Sequence, residues 1–240
     1  MEILVCAATS TEAKACGKGI VQSGLGSKFH LIETGVGLVK AKRALQSYLS
    51  SASKAPRLIV STGFAGAVSP SIRLSSWVVA HEVFEFNDQR TLSLTTKASQ
   101  NEKYASLGDP CRMVSSSELA LHQLTEQLQK MTASQDIPFA VDMESSALSK
   151  VSASQGIPFL TLRFVTDTPE APLPQFIAGF ASAMAEGSLK AKLPRLLTGM
   201  VQAGVDLKGV AKLLREGPKW AEALRLGWRK HAIVLSEKIL

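Results

Sequence analysis

The sequence predicts an α/β fold: a three-layer sandwich with a mainly parallel, mixed central sheet, plus a C-terminal helical extension. Two observations lead there. Short runs that are nearly all apolar and rich in β-branched residues alternate with segments of helical spacing, and after Ala178 the strand pattern stops while the helical one continues. A sheet with one wet face would show a polar residue at every second position. Runs without that alternation are covered on both sides, as parallel strands with helical crossovers are.

The first strand is read at Ile3 to Ala8, uninterrupted by a polar residue and closed by Thr9-Ser10. Phe29 to Thr34 follows, ending at Gly35. Val39 to Leu49 sets Ala41, Ala44, Leu45 and Leu49 on one helical stripe. Leu58 to Thr62 and Trp77 to Phe86 are the third and fourth strands, and Arg112 to Ser115 is the next. Leu119 to Met131 then returns to helical spacing, with Ser115 and Glu118 arranged as a capping box before it. Ala140 to Met143 and Phe159 to Val165 are the last strands. Ala147, Leu148 and Val151 between them lie at helical spacing. Pro194, Gly204, Gly209 and Gly217-Pro218 punctuate the closing helical stretch.

A chain of 240 residues with 45% apolar and 20% charged residues can bury a large core, which excludes disordered, collagenous and disulfide-scaffold classes. The net charge of +7 is unevenly placed. Residues 1–189 carry 16 basic and 16 acidic side chains, whereas residues 190–240 carry 11 and 4. The expected organisation is therefore a neutral catalytic domain, 1–189, with a basic helical extension, 190–240, packed on or flanking it. Cys6, Cys16 and Cys111 match no zinc or CxxC spacing and read as buried thiols of a reducing compartment. Met1-Glu2 leads straight into the apolar run without the basic start of a signal peptide, and no uncharged apolar stretch is long enough to span a bilayer. A cytoplasmic protein without a metal site is expected.

In parallel α/β sheets chemistry collects at the carboxyl ends of strands. Those ends offer Glu12, Gly35 and Gly37, the segment Ser61 to Gly66, Asp142 with Glu144, and Thr166 with Asp167. Glycines in turns let backbone N–H groups approach an anion, a water or a sugar hydroxyl. Lys40 stands where a dinucleotide fingerprint would place its third glycine, so that cofactor is not expected. Each acid alone could serve as a cap or a first-turn helix charge. Together they suit glycosidic cleavage, in which one acid protonates the leaving group, one activates the nucleophile and another holds the sugar.

Val141-Asp142-Met143-Glu144-Ser145-Ser146-Ala147-Leu148, then Gly156-Ile157-Pro158-Phe159, then Leu162-Arg163-Phe164-Val165-Thr166-Asp167 resembles the signature of the purine nucleoside phosphorylase and methylthioadenosine/adenosylhomocysteine nucleosidase superfamily. The likeness covers roughly residues 1–185. It implies that Glu144 binds the ribose 2′- and 3′-hydroxyls with Met143 beneath the sugar, and that Asp167 protonates the purine N7. Glu12 would activate the attacking water. Val141, Asp142, Gly63, Phe64 and Thr166 would complete the substrate site, and Gly35 and Gly37 an anion or water site. No cofactor is implied, only phosphate as co-substrate for a phosphorylase. Ser61 stands where phosphorylases often carry Arg, and Phe64 where both branches commonly have Ser, which favours hydrolysis. The wording Asp-Met-Glu-Ser, with Leu173-Pro174 and a leucine-rich tail, looks like the hopanoid-associated phosphorylases, assigned to adenine release from adenosylhopane. Phe64 and the stripe Phe176, Phe180 and Met184 would then meet an apolar 5′ substituent. A nucleosidase acting on methylthioadenosine or adenosylhomocysteine, and a non-catalytic nucleoside-binding or membrane-associated protein, are the alternatives. The resemblance further implies a homodimer or larger assembly.

Residues 190–240 combine leucines, 11 cations, Trp220 and Trp228. That pattern fits helices packed on the α/β core, or an amphipathic contact with an anionic membrane surface that would place the enzyme at the periphery of the inner membrane. No nucleic-acid reader motif accompanies the charge, and none is expected to bind.

Overall fold

The computed structural model describes residues 2–86, 92–97, 101–116, 128, 137–171 and 207–239. Its strands are β1 (Ile3–Ala7), β2 (Phe29–Glu33), β3 (Leu58–Ala67), β4 (Trp77–Phe86), β5 (Leu92–Lys97), β6 (Asp109–Ser116), β7 (Phe139–Asp142) and β8 (Phe159–Asp167). The helices are α1 (Ser10–Gln22), α2 (Leu38–Ser51), the single turn α3 (Asn101–Tyr104), α4 (Ser145–Ser154) and α5 (Leu207–Ile239).

All eight strands join in one mixed sheet. β1 lies between β2 and β3, parallel to both. Beyond β3 the sheet divides, because β3 pairs with β8 on one side and, through Gly66 and Ala67, with β7 on the other. β8 pairs with β4, β4 with β6, and β6 with β7. Strands β3, β8, β4, β6 and β7 thus close a five-stranded barrel, and β5 hangs antiparallel on β4. So few strands leave a narrow bore, and small residues fill it: Ala65, Ala67, Ala80, Cys111 and Ala140, with Val78, Val83, Met113 and Val165.

The open part of the sheet is covered on both faces. Ile3 and Val5 of β1 turn towards α1 and α5, where Cys16, Ile20, Leu224, Trp228 and Leu235 are buried with them. Leu4 and Cys6 turn the other way, to Ala41 and Leu45 of α2 and Leu148 and Val151 of α4. Alternate residues of one all-apolar strand therefore serve two cores, which is why β1 shows no polar alternation. The three layers and mainly parallel sheet follow the sequence prediction. Closure into a barrel does not, since apolar periodicity carries no record of which edges meet.

Local differences have local causes. Ser61 to Gly66 continues β3 instead of turning, with Gly63 at φ 141° inside the strand. Ser115 is a strand residue of β6; its hydroxyl donates to Asp142 and its oxygen accepts the Ser146 N–H, at 2.9 Å, in the first turn of α4. The capping box lies at Thr9 and Glu12, where both reciprocal bonds are made. α5 runs unbroken through Gly209 and Gly217-Pro218. Of the predicted helix 119–131 only Leu128 is described, helical and fully buried. The stripe Phe176, Phe180 and Met184 and the pair Leu173-Pro174 lie outside the described residues.

All three cysteines are buried and unpaired, and burial pushes the Cys6 thiol up to about 12. No described helix is long and apolar enough to cross a membrane.

The layer formed by α1 and α5 is tight. A Cβ on Gly19 would collide with the Arg225 carbonyl and reach within 2.9 Å of the Trp228 Cβ, whereas one on Gly17, also on α1, would meet nothing within 4 Å. Gly19→Ala should therefore destabilise the fold by about 1–3 kcal/mol, while Gly17→Ala should be neutral or stabilise by up to about 1 kcal/mol. Urea unfolding of the two variants decides; equal stabilities would refute this helix packing.

Candidate active site

The centre of the site is a buried guanidinium. Arg163 rises from the middle of β8, opposite Gly63 of β3, and is 1% exposed. Its Nη1 donates to the Thr62 carbonyl at 2.8 Å. Its Nη2 donates to Ser61 Oγ at 2.8 Å, Asp142 Oδ2 at 2.6 Å and Ser145 Oγ at 3.2 Å, and lies 3.5 Å from Glu144 Oε2. One side chain thus ties β3, β7, β8 and the start of α4 together.

Asp142, at the end of β7, is fully engaged. It accepts from the hydroxyls of Ser115 and Ser145, from the Ser145 N–H at 3.4 Å and from Arg163. Because the single Ser145 proton goes to Asp142, the 3.0 Å contact between Ser61 and Ser145 runs from the Ser61 hydroxyl. The chain of serines completes the acceptor needs of a carboxylate that no water reaches. Asp142 therefore holds Arg163 and has no acceptor left for a ligand.

Glu144 occupies the cap position before α4 and is buried. Its Oε1 accepts the Gly37 N–H at 3.0 Å. The Gly37 amide, expected to face an anion or water, is thus taken up by this carboxylate, and the positive φ of 93° at Gly37 aims it there. Burial pushes the Glu144 carboxyl up to about 7, and the nearby Asp142 and Glu12 charges act in the same direction; Arg163 and the Gly37 N–H pull back.

Glu12 sits in the first turn of α1. Its Oε2 accepts the N–H and hydroxyl of Thr9, at 2.9 and 2.7 Å, and its Oε1 accepts the Phe64 N–H at 2.9 Å. Only glycine fits at position 63, because a Cβ there would collide with Glu12 Oε1 and lie 2.7 Å from Arg163 Nη1. The Phe64 backbone therefore serves the site, and its ring turns to Trp220 of α5, 6.3 Å between centroids, partly buried against the core.

Asp167 ends β8 opposite Gly66, just past an irregularity in the β3–β8 register. A Cβ on Gly66 would lie 2.6 Å from Asp167 Oδ2 and 3.2 Å from Val141 Cγ2. The Thr166 hydroxyl donates to Asp167 Oδ1 at 3.1 Å. Burial raises the pKa of Asp167 despite that bond and the charge of Lys212 on α5. Met143 is half-buried between Asp142 and Glu144, and Gly35 makes a left-handed turn against the Lys40 stem. Glu12 and Asp167 thus meet the same strand three residues apart, about 10 Å along β3, with Glu144 reaching in near Glu12.

Arg163 stood in the quoted motif without an assigned role, and Ser61, Ser115 and Ser145 were read for other reasons. A charged residue inside an otherwise apolar strand run was the available signal, since a buried arginine requires carboxylate partners. No His, Cys, Asp and Glu cluster able to hold a metal occurs among the described residues.

Residues 7–140 match the model of the Phosphorylase superfamily, more than half of the chain, and the chain belongs to that superfamily of enzymes. Comparison with curated proteins returned no match. Solved structures share the fold. A Helicobacter pylori 5′-methylthioadenosine/S-adenosylhomocysteine nucleosidase bound to butyl-thio-DADMe-Immucillin-A aligns over 100% of this chain and 97% of its own, at 13% identity and a TM-score of 0.61. A mutant futalosine hydrolase of H. pylori strain 26695 aligns over 78% and 96%, at 13% identity and a TM-score of 0.58. An S-adenosylhomocysteine nucleosidase of Streptococcus pyogenes, in complex with 5-methylthiotubericidin, aligns over 77% and 94%, at 19% identity and a TM-score of 0.54.

Arg163→Met leaves Asp142 and Glu144 buried without their cation and should cost about 3–5 kcal/mol. Adding Asp142→Asn should restore about 1 kcal/mol or more, because the two side chains are directly coupled. Denaturant midpoints of the single and double variants test this; strict additivity would mean the pair does not interact.

Proposed function

We propose that the protein cleaves the N-glycosidic bond of a purine nucleoside by hydrolysis. The observation that carries this reading is the set of three carboxylates at one end of the sheet, each in a different environment. Asp167, whose pKa is raised by burial, is the acid that delivers a proton to the purine N7 as the bond from C1′ to N9 breaks. Glu12, held by backbone N–H groups, takes a proton from the water that attacks C1′. Glu144 uses its remaining lone pairs to accept the ribose 2′- and 3′-hydroxyls, with Met143 against the sugar. Electrons of the broken bond leave with the base, and the proton from Asp167 neutralises them.

Hydrolysis is favoured over phosphorolysis by the position of Glu12. The N–H groups of Thr9 and Phe64, which could cradle an anion, are already bonded to its carboxylate, and that negative charge would repel phosphate. Ser61 is buried beneath Arg163 and presents no cation.

Relatives in fold are named for methylthioadenosine, adenosylhomocysteine and futalosine, which supports a nucleoside altered at its 5′ position. The finer reading, adenine release from adenosylhopane, rests on the wording of the Asp142 to Ser145 motif. Small-molecule binding by a homodimer or larger assembly, without an organic cofactor or metal, completes the proposal.

Adenine release from methylthioadenosine, adenosylhomocysteine and a lipid-linked adenosine, with and without phosphate, is the direct test. Free ribose product and no phosphate dependence are expected; a ribose 1-phosphate product overturns the hydrolytic assignment. Glu12→Gln and Asp167→Asn should each lower kcat by about 100-fold or more, and undiminished turnover in both refutes the assigned roles. The pH dependence has a definite sign. Glu144 must be ionised to accept hydroxyls, so KM should rise as the pH falls below about 7. Asp167 must be protonated, so kcat should fall as the pH rises through its elevated pKa.

A further inference from the structure

The tryptophans that gave the basic tail its amphipathic look are not on its surface. Trp228 is fully buried and its indole N–H donates to Thr62 Oγ1 at 3.0 Å, while Trp220 meets Phe64. The exposed side of α5 is made of other residues. Leu226 and Ile233, seven apart and so on one face, are 45% and 43% exposed. Arg229 and Lys230 flank them, both exposed.

α1 extends the same layer. It packs along α5, with Gln22 against Arg225, and Lys18 lies near enough to Glu222 to act on its charge. Its outer face carries Lys14, Lys18 and Val21, the last 70% exposed. The two helices hold ten basic residues against four acidic ones, and Glu12 among the four belongs to the site. Around Leu226 and Ile233 the exposed charges are Arg229 and Lys230 with Glu222 and Glu237, and Lys14 and Lys18 of α1 tip the balance to positive, on a chain whose remainder is close to neutral.

We propose that the outer face of α1 and α5 docks on an anionic lipid bilayer, with Val21, Leu226 and Ile233 entering the interface and Lys18, Arg229 and Lys230 meeting the headgroups. Charge complementarity selects this occupant. A second copy of the same face would bring like charges together, and a polyanion such as nucleic acid offers nothing to the exposed aliphatic side chains. Both helices also approach the site: Glu12 is in the first turn of α1, and Lys212, near the start of α5, acts on Asp167. The inference stands apart from the catalytic reading, and either can fail without the other.

The test uses the full chain and sedimentation with sucrose-loaded vesicles, since removing α5 would strip Trp228 and Leu235 from the core. Vesicles containing about one-third phosphatidylglycerol should bind at least about tenfold more tightly than pure phosphatidylcholine, and added salt should weaken the difference. Triple charge reversal, Lys18→Glu with Arg229→Glu and Lys230→Glu, should abolish the preference, and Leu226→Ser with Ile233→Ser should weaken binding at unchanged charge. Circular dichroism and nucleosidase activity should match the parent, because none of these residues touches the site. Absence of vesicle binding, or binding unaffected by charge reversal, overturns the proposal. So does tighter binding to duplex DNA that the serine substitutions leave unchanged.

Discussion

Arg163 keeps a full positive charge where water does not reach, and the surrounding fold supplies partners to both of its terminal nitrogens while its Nε–H finds none among the described residues. Two carboxylates, a backbone carbonyl and two hydroxyls converge on its guanidinium from two neighbouring strands and a helix start. A buried ion is tolerated only with such partners, so the requirement works in reverse as a geometric instruction. Asp142 has to be where β7 ends, Ser61 where β3 begins its inner stretch, and Glu144 where α4 starts. Removing any one leaves another group orphaned, which is how a single residue fixes the relative position of elements distant in sequence.

The same charge sets the electrostatics of the sugar side. Three acids near one cation cannot all remain ionised at little cost. Burial is the leading cause of the rise at Glu144, and the charge of Asp142, which sits closest to Arg163 with a serine on each oxygen, adds to it. A nucleoside that donates two hydroxyls to Glu144 would offset part of the solvation lost on burial and favour the ionised carboxylate. On the base side burial raises Asp167 against the pull of the Thr166 hydroxyl and Lys212. Burial thus leads at both acids, and neighbouring carboxylates add to it only at Glu144.

Much of this was legible in the residues. β1 announced itself as a strand buried on both faces because Ile3 and Val5 serve one core and Leu4 and Cys6 the other. Glu12, Glu144 and Asp167 stood out because each ends an apolar run. What could not be read was pairing. Ser115 satisfied the spacing of a helix cap, yet the partner that claims its hydroxyl is Asp142, 27 residues away. Gly63 and Gly66 resembled turn glycines. They are strand residues made small by Glu12, Arg163 and Asp167 pressing against them, a reason that exists only after folding.

The packing of α1 against α5 joins the two ends of the described chain: the Lys28 ammonium reaches Ser236 Oγ across a sequence separation of 208 residues. During synthesis at about 5–20 residues per second, the first strand and helix wait roughly 10–40 seconds before their covering helix exists. For that interval Val5, Cys16 and Ile20 present an apolar surface that Leu224, Trp228 and Leu235 of α5 later cover. Contacts this non-local also slow the final docking step. The chain is thus committed to a nascent state with an open greasy flank, a natural substrate for chaperones. Substitutions such as those at Gly19 would show up as loss of yield during synthesis as well as loss of equilibrium stability.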